Sequence, residues 1–571
     1  MARTVGIGKQ NYEKIVINDN FYIDKTLFIK EWWENDDEVT LITRPRRFGK
    51  TLNISMIEQF FSIEYAGRSD LFEGMNIWKE EKYRKLQGSY PVISLSFANI
   101  KESDYTTARK KICQMLVDLY ADYTFLLDSE VLAQGDKDFF RRICVNMDDA
   151  DATLAIHYLS KYLNLYYGKK VIILLDEYDT PMQEAYTYGY WEKLVNFTKG
   201  IFQAAFKTNP WLERAIMTGI TRISKESIFS DLNNLEVVTT TSEKYADSFG
   251  FTQEEVFDSL EEFGLSGQKQ DVKNWYDGFT FGTRSDIYNP WSILNFLDKK
   301  KFATYWANTS SNSLVGRLIR ESSKKIKQDF EALMRGECIK AVIDEQIIYD
   351  QLLVKKGAIW SFLLAGGYLK VAGTEFLEQT GHLYYQLALT NKEVHILFED
   401  MIHGWFESED DNYNDFIRAL LEDDVKAMNI YMNKIALAAF SYFDTGKEPS
   451  KSEPERFYHG FVLGLIVELR DKYVIHSNRE SGFGRYDVIL EPRKSTDVIK
   501  NNNIKNDVII MEFKVQDTEK EKELSDTVKE ALGQIERQNY AASFVEKGIP
   551  KERIRKYGFA FSGKRVLIGK E

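Results

Sequence analysis

Short apolar runs punctuate this chain, and polar-apolar patterns of helical spacing fill most of the intervals between them. The runs are Val39 to Thr43, Gly88 to Phe97, Val171 to Leu175, Arg214 to Ile223 and Asp507 to Val515. Continuous apolar or β-branched runs of this length suit strands buried on both faces of a parallel sheet. After the first run, Leu52, Ile54, Met56, Ile57, Phe60 and Phe61 fall on one face of a helix. Lys101 to Leu165 is mainly helical by pattern. Strands alternating with helices predict a parallel α/β sheet in the first half of the chain.

Downstream the pattern becomes mixed. Trp360 to Val371 and Tyr384 to Val394 predict a helix and strands, as in a small winged-helix module. It has no basic recognition helix, so it reads as a spacer. Tyr413 to Tyr442 reads as two amphipathic helices forming a connector. Gly446 to Glu453 (GKEPSKSE) is the clearest linker. The expected organisation is a parallel α/β domain over 1–310, a winged-helix-like module over 311–410, a helical connector over 411–452 and a second α/β domain over 453–571.

Composition narrows the class without deciding function. With 571 residues, 44% hydrophobic and 14% aromatic, the chain can build several cores. A net charge of −12 argues against a uniformly basic coat but leaves room for a local nucleic-acid groove. Cys113, Cys144 and Cys338 lie far apart without metal-ligand spacing and read as reduced thiols. No apolar run is long enough to span a bilayer and the start does not read as a signal peptide, so a cytoplasmic protein without membrane contact is expected.

The chemistry begins at the first run. It leads into Arg44-Pro45-Arg46-Arg47-Phe48-Gly49-Lys50-Thr51 and then a helix. Strand, Gly-Lys-Thr turn and helix is the context of a phosphate-binding loop, in which backbone N–H groups and the helix dipole face an anion. Lys50 can reach the β- and γ-phosphates of ATP, and the Thr51 hydroxyl can ligate Mg²⁺. Arg44 stands where the usual motif has its first Gly. The Val171 strand ends in Asp176-Glu177, and ligands of a parallel sheet sit at the carboxyl ends of its strands. Asp176 is expected to hold Mg²⁺ through its water shell, and Glu177 to polarise the attacking water. The Arg214 strand ends in Thr218-Gly219-Ile220-Thr221-Arg222, where a polar group can sense the γ-phosphate and Arg222 can supply positive charge. Tyr22 or Asp24, just before the first strand, either approaches adenine or forms a solvated turn.

These motifs, with Asp24-Lys25-Thr26, Leu175 to Asp179, Phe229 to Asn234, Trp275 to Phe279 and Tyr288 to Ser292, resemble the bacterial AAA-ATPase-like family over roughly residues 5 to 310. In that family Arg replaces the first loop glycine, so Arg44 is no departure. The resemblance implies a P-loop ATPase core related to the STAND and archaeal ATPases.

The last segment carries separate chemistry. Glu455 and His459 lie one turn apart on a predicted helix. Asp487 opens an apolar strand, and alternation on the Asp507 strand puts Glu512 and Lys514 on the same face as Val508 and Ile510. An acid and a lysine on an apolar strand are costly unless paired or metal-bound. Asp487 and Glu512 can hold one or two Mg²⁺ ions, or Mn²⁺, and Lys514 can position the attacking water. With Gln534 and Tyr540 on the following helical stretch, the arrangement resembles the PD-(D/E)XK nuclease superfamily, although the common Pro before Asp487 is missing. The resemblance implies catalytic roles for Asp487, Glu512, Lys514 and Gln534, with Glu455 as a further metal ligand. Together the two constellations predict an ATPase coupled to a metal-dependent nuclease, or an ATP-gated interaction module whose nuclease fold binds without cutting. Expected partners are ATP and nucleic acid, DNA ahead of RNA. Homo-oligomerisation stays open, and a role in defence against foreign nucleic acid is an analogy.

Overall fold

The computed structural model describes residues 3–222, 229, 232–307, 312–322, 324–344, 352, 357–378, 381–407, 412–439, 462, 466, 469, 472–477, 480–481, 484–485, 488–493, 507–517, 520–562 and 565–570. They fall into two compact units, Met1–Glu321 with Leu333–His395, and Ser322–Ala332 with Ile396–Glu571.

The first unit is built on five parallel strands: β1 (Val39–Thr43), β2 (Val92–Ser96), β3 (Val171–Asp176), β4 (Leu212–Gly219) and β5 (Leu235–Val238). Their order is β2-β3-β4-β1-β5. Every residue of β1 and β3 is buried, as the unbroken apolar runs require when helices cover both faces. α1 (Lys50–Phe61) follows β1 directly and buries Ile54, Met56, Ile57, Phe60 and Phe61. The long polar interval before β3 supplies α2 (Tyr105–Ala121) and α3 (Asp149–Tyr167). Asp104 and Asp148 cap their N-termini by accepting from Thr107 N and Asp151 N. α4 (Thr180–Tyr188) and α5 (Trp191–Phe206) link β3 to β4. Thr43 lies beside Gly219, and Ser96 beside Asp176, so the carboxyl ends of these strands share one edge.

A small antiparallel sheet follows, of β6 (Phe251–Thr252), β7 (Phe279–Phe281) and β8 (Arg284–Tyr288) in the order β6-β8-β7. Asn289 caps α6 (Pro290–Lys299). Then come α7 (Ser313–Glu321), α8 (Lys324–Met334), β9 (Ile339–Ala341), α9 (Ala358–Ala365), β10 (Leu369–Leu377) and β11 (His382–Leu389), the strands pairing antiparallel as β10-β11-β9.

α10 (Lys392–Glu407) follows in the chain, and in the second unit α11 (Asn412–Glu422) and α12 (Val425–Ala439) match the predicted helical pair. The sheet contains β12 (Tyr473–Ser477), β13 (Val488–Pro492), β14 (Val508–Val515), β15 (Ile554–Ser562) and β16 (Arg565–Lys570), in that order. β14 and β15 are parallel and the other pairs antiparallel. Ile509, Met511 and Phe513 pack with Phe416, Leu420, Met428 and Met432 of the helical pair. Val508 and Ile510 point the other way and pack with Ile535 of α13 (Leu524–Arg537) and with Tyr540. Edge strand β16 is closed by two asparagines one turn apart on α12. Asn429 exchanges 2.8 Å bonds with the backbone of Ile568, and Asn433 does the same with Val566 at 2.7 and 2.9 Å. Among the described residues no helix is long and apolar enough to cross a membrane.

Candidate functional site

The loop after β1 is folded around Lys50. Gly49 takes φ +80°, a conformation a side chain disfavours, and turns the chain into α1. The buried Lys50 ammonium donates to Arg44 O at 2.9 Å and Pro45 O at 2.8 Å. Burial pushes its pKa down, opposed by Glu177, Asp176 and Asp179 and reinforced by Arg46. The Thr51 hydroxyl donates to Asp176 Oδ2 at 2.7 Å, and Thr218 Oγ donates to Asp176 Oδ1. Asp176 is 3% exposed, and burial raises its pKa against those two hydroxyls. Glu177 has φ +52° and accepts from Thr180 Oγ at 3.2 Å.

The loop arginines separate. Arg44 is fully buried and donates to Thr43 O at 3.0 Å, Thr239 O at 2.6 Å and Lys244 O at 3.2 Å. Its guanidinium lies 4.4 Å from the Phe281 ring centre, and burial draws its pKa down to about 9, which leaves it charged near neutrality. Arg46 is half-buried and donates to Gln183 Oε1 at 3.2 Å. Arg47 is exposed, with its guanidinium 4.4 Å from the Trp291 ring centre. Phe48 is buried against Phe279 and Phe281. Arg222, after β4, lines a cavity of ≈ 20 Å³ with Thr43, Thr239, Thr240, Thr241 and Ser361.

Several members of this site are not obvious from spacing. Asp179 is buried and its Oδ2 accepts from Ile220 N, Thr221 N and Thr221 Oγ at 2.8 to 2.9 Å, clipping the β4 loop beside Asp176. Burial raises its pKa. Gly219 has no room for a side chain because a Cβ there would lie 2.7 Å from Asp179 Oδ1 and from the Tyr178 ring. Asn289 Nδ2 and Trp306 Nε1 donate to Arg46 O at 3.2 and 3.0 Å. The sequence signal for Asp179, Gly219 and Asn289 was their place inside short motifs, and Trp306 had none. Asp24 is spent locally, accepting from Thr26 N, Thr26 Oγ and Asn76 N at 2.8, 2.6 and 2.7 Å. Tyr22 OH contacts Met56 Sδ at 3.6 Å. Both side chains are half-buried.

In the second unit Glu512 is 1% exposed and accepts a hydrogen bond from Gln534 Nε2, which also donates to Tyr540 OH at 3.3 Å. Lys514, half-buried, lies two residues on along the same strand. Val488, the residue after Asp487, pairs with Met511, the residue before Glu512. Asp487, Glu455 and His459 lie outside the described residues. Among the described residues no group of three or more His, Cys, Asp or Glu side chains is arranged to hold a metal ion.

A parallel sheet in this strand order, with Gly-Lys-Thr after β1 and an aspartate ending β3, is a P-loop NTPase fold. Residues 6–229 match the family described as predicted AAA-ATPase, and residues 453–571 match the PD-(D/E)XK nuclease superfamily. The chain thus joins an AAA-ATPase-like region to a C-terminal nuclease-superfamily domain. It is also similar to an uncharacterized protein in the vnfD 5' region of Azotobacter chroococcum mcd 1, at 26% identity over 318 residues, 55% of this chain and 56% of that protein. The chain therefore spans little more than half the length of that relative.

Proposed function

We propose that the chain binds and hydrolyses ATP at the β1–α1 loop and cuts nucleic acid at the Glu512 site. The observation that carries the reading is the meeting of Lys50, Thr51, Asp176 and Glu177 at one edge of a parallel sheet. Lys50 now satisfies its ammonium on two loop carbonyls, and phosphate oxygens are the natural replacement. The Thr51 hydroxyl and Asp176 carboxylate are hard oxygen donors that fit Mg²⁺, which would neutralise phosphate charge when bound. Glu177 orients the attacking water and accepts its proton.

In the second unit the buried Glu512 carboxylate, with Asp487 and Glu455, supplies oxygen donors that suit Mg²⁺ or Mn²⁺. Such an ion stabilises charge on a phosphodiester under attack. Lys514 positions the water, and Gln534 and Tyr540 orient the Glu512 carboxylate. DNA is the first substrate to test and RNA the control. Cys113, Cys144 and Cys338 are free thiols, which suits a reducing compartment and a cytoplasmic setting for this activity.

The experiment is cleavage of plasmid DNA and of RNA by the full chain with Mg²⁺ or Mn²⁺, with and without ATP, beside phosphate release. Metal-dependent cleavage lost in Asp487→Ala and Lys514→Ala supports the nuclease assignment. Phosphate release without any cleavage would leave an ATP-gated binding module.

A further inference from the structure

We infer that Arg46 is the arginine that stabilises the transition state of ATP hydrolysis, supplied in cis by the phosphate loop itself. The inference rests on the ATPase reading above and gives the arginine-rich loop a division of labour.

Two of its three arginines are committed. Arg44 is walled in, with carbonyls of Thr43, Thr239 and Lys244 as acceptors and Phe281 against its face. Arg47 lies over Trp291 on the outer side of α6. Arg46 differs in partner and in direction. Among the described residues its guanidinium is bonded to a neutral amide, Gln183, and not to a carboxylate. A neutral tether is readily exchanged for phosphate oxygens, which a guanidinium can bind bidentately.

Position supports the same role. Gln183 follows Thr180 by three residues on α4, so the two lie on one helix face. Thr180 holds the Glu177 carboxylate at 3.2 Å. The guanidinium and the carboxylate proposed to orient water are thus tethered by neighbouring residues of one helix face. Arg46 and Lys50 belong to the same loop, four residues apart. The backbone at Arg46 is held still, because Asn289 and Trp306 both donate to its carbonyl. A donor fixed before the reaction costs little reorganisation during it.

In the step itself, a water oxygen bonds to the γ-phosphorus while the bond from that phosphorus to the β–γ bridging oxygen breaks. The electron pair leaves on ADP, the water proton passes to Glu177 and then to phosphate, and ADP and inorganic phosphate are the products. Arg46 stays protonated throughout and donates N–H bonds to the γ-phosphoryl oxygens as charge gathers on them.

The test uses the full chain and four proteins: wild type, Arg46→Ala, Arg46→Lys and Arg222→Ala. Binding of Mg²⁺ and the β,γ-imido analogue of ATP is read by calorimetry, and kcat by phosphate release. Trapping of ADP with aluminium fluoride reports the transition-state geometry. Arg46→Ala is expected to keep analogue affinity within about threefold, lose kcat by about 10³-fold and lose the aluminium fluoride complex. Arg46→Lys is expected not to rescue, since an ammonium lacks the planar fork. Wild-type activity per molecule is expected to stay constant on dilution. The inference is overturned if Arg46→Ala hydrolyses ATP at the wild-type rate, if Arg222→Ala shows the loss instead, or if wild-type specific activity rises with protein concentration. A wild-type chain that binds no analogue would overturn the ATPase reading as well, an outcome distinct from the other three.

Discussion

Asp176 and Glu512 are both carboxylates buried on an interior strand of their sheet, yet they are placed by different rules. Asp176 is the last residue of β3, in an all-parallel sheet. Its neighbours come from loops that leave the same edge: Thr51 after β1, Glu177 and Asp179 after β3, Thr218 at the end of β4. Glu512 is the fifth residue of an eight-residue strand, in a sheet of mixed direction. Such a sheet has no common carboxyl edge, so its site is assembled on a face, from alternate residues of β14 and from α13 lying across them. An edge site draws on turns, whose residues are consecutive in sequence. A face site draws on side-chain alternation, where two residues of separation preserve the site and one destroys it.

The strongest break in this comparison is expected from Lys50→Ala. Removing the one loop ammonium at the phosphate position should weaken ATP binding by at least about 100-fold by calorimetry. Unchanged affinity would remove the edge site from nucleotide chemistry. Glu177→Gln comes next: the amide keeps the hydrogen bond from Thr180 but cannot take a proton. We expect ATP binding to persist and phosphate release to fall by about 100-fold or more. A wild-type rate would assign the proton transfer elsewhere.

Two glycines sharpen the contrast at a smaller scale. A Cβ at Gly558 would meet Val528 O at 2.8 Å, so Gly558→Ala should lift α13 off β15 and draw Gln534 away from Glu512. Gly219→Ala should crowd Asp179 and loosen the β4 loop. Each is expected to destabilise by about 1–3 kcal/mol. Gly558→Ala should impair cleavage more than ATP hydrolysis, and Gly219→Ala the reverse. Equal effects on both activities would contradict separate construction of the two sites.

A pH dependence is expected from another buried carboxylate. Glu393 accepts from Ser292 Oγ at 2.8 Å and from Trp306 N, and the Trp306 indole in turn holds Arg46 O. Burial raises its pKa from 4.5 to about 7. A raised carboxyl contributes stability that is full below its unfolded pKa and is lost as pH rises through the folded one. Wild-type stability relative to Glu393→Gln should therefore fall by up to about 3 kcal/mol between about pH 4.5 and pH 7. Parallel melting curves for the two proteins across that range would refute it.

What the sequence determined by itself was the local part. Unbroken apolar runs located β1 and β3, and Gly-Lys-Thr after one with Asp-Glu after the other located both halves of the edge site. Such signals survive in one dimension because strand ends and turns are made of consecutive residues. Alternation likewise put Glu512 and Lys514 on one face of β14, away from Met511 and Phe513. Only the tertiary structure decided which of three neighbouring arginines is scaffold, which lies against Trp291 and which is tethered to Gln183. Spacing treats Arg44, Arg46 and Arg47 alike, while Thr239, Trp291 and Gln183 distinguish them. Asp179 became legible in the same way, because its acceptor role depends on N–H groups about forty residues away, brought near by the pairing of β3 with β4. Burial and long-range hydrogen bonding are properties of packing, and they assign different work to side chains that the chain spells identically.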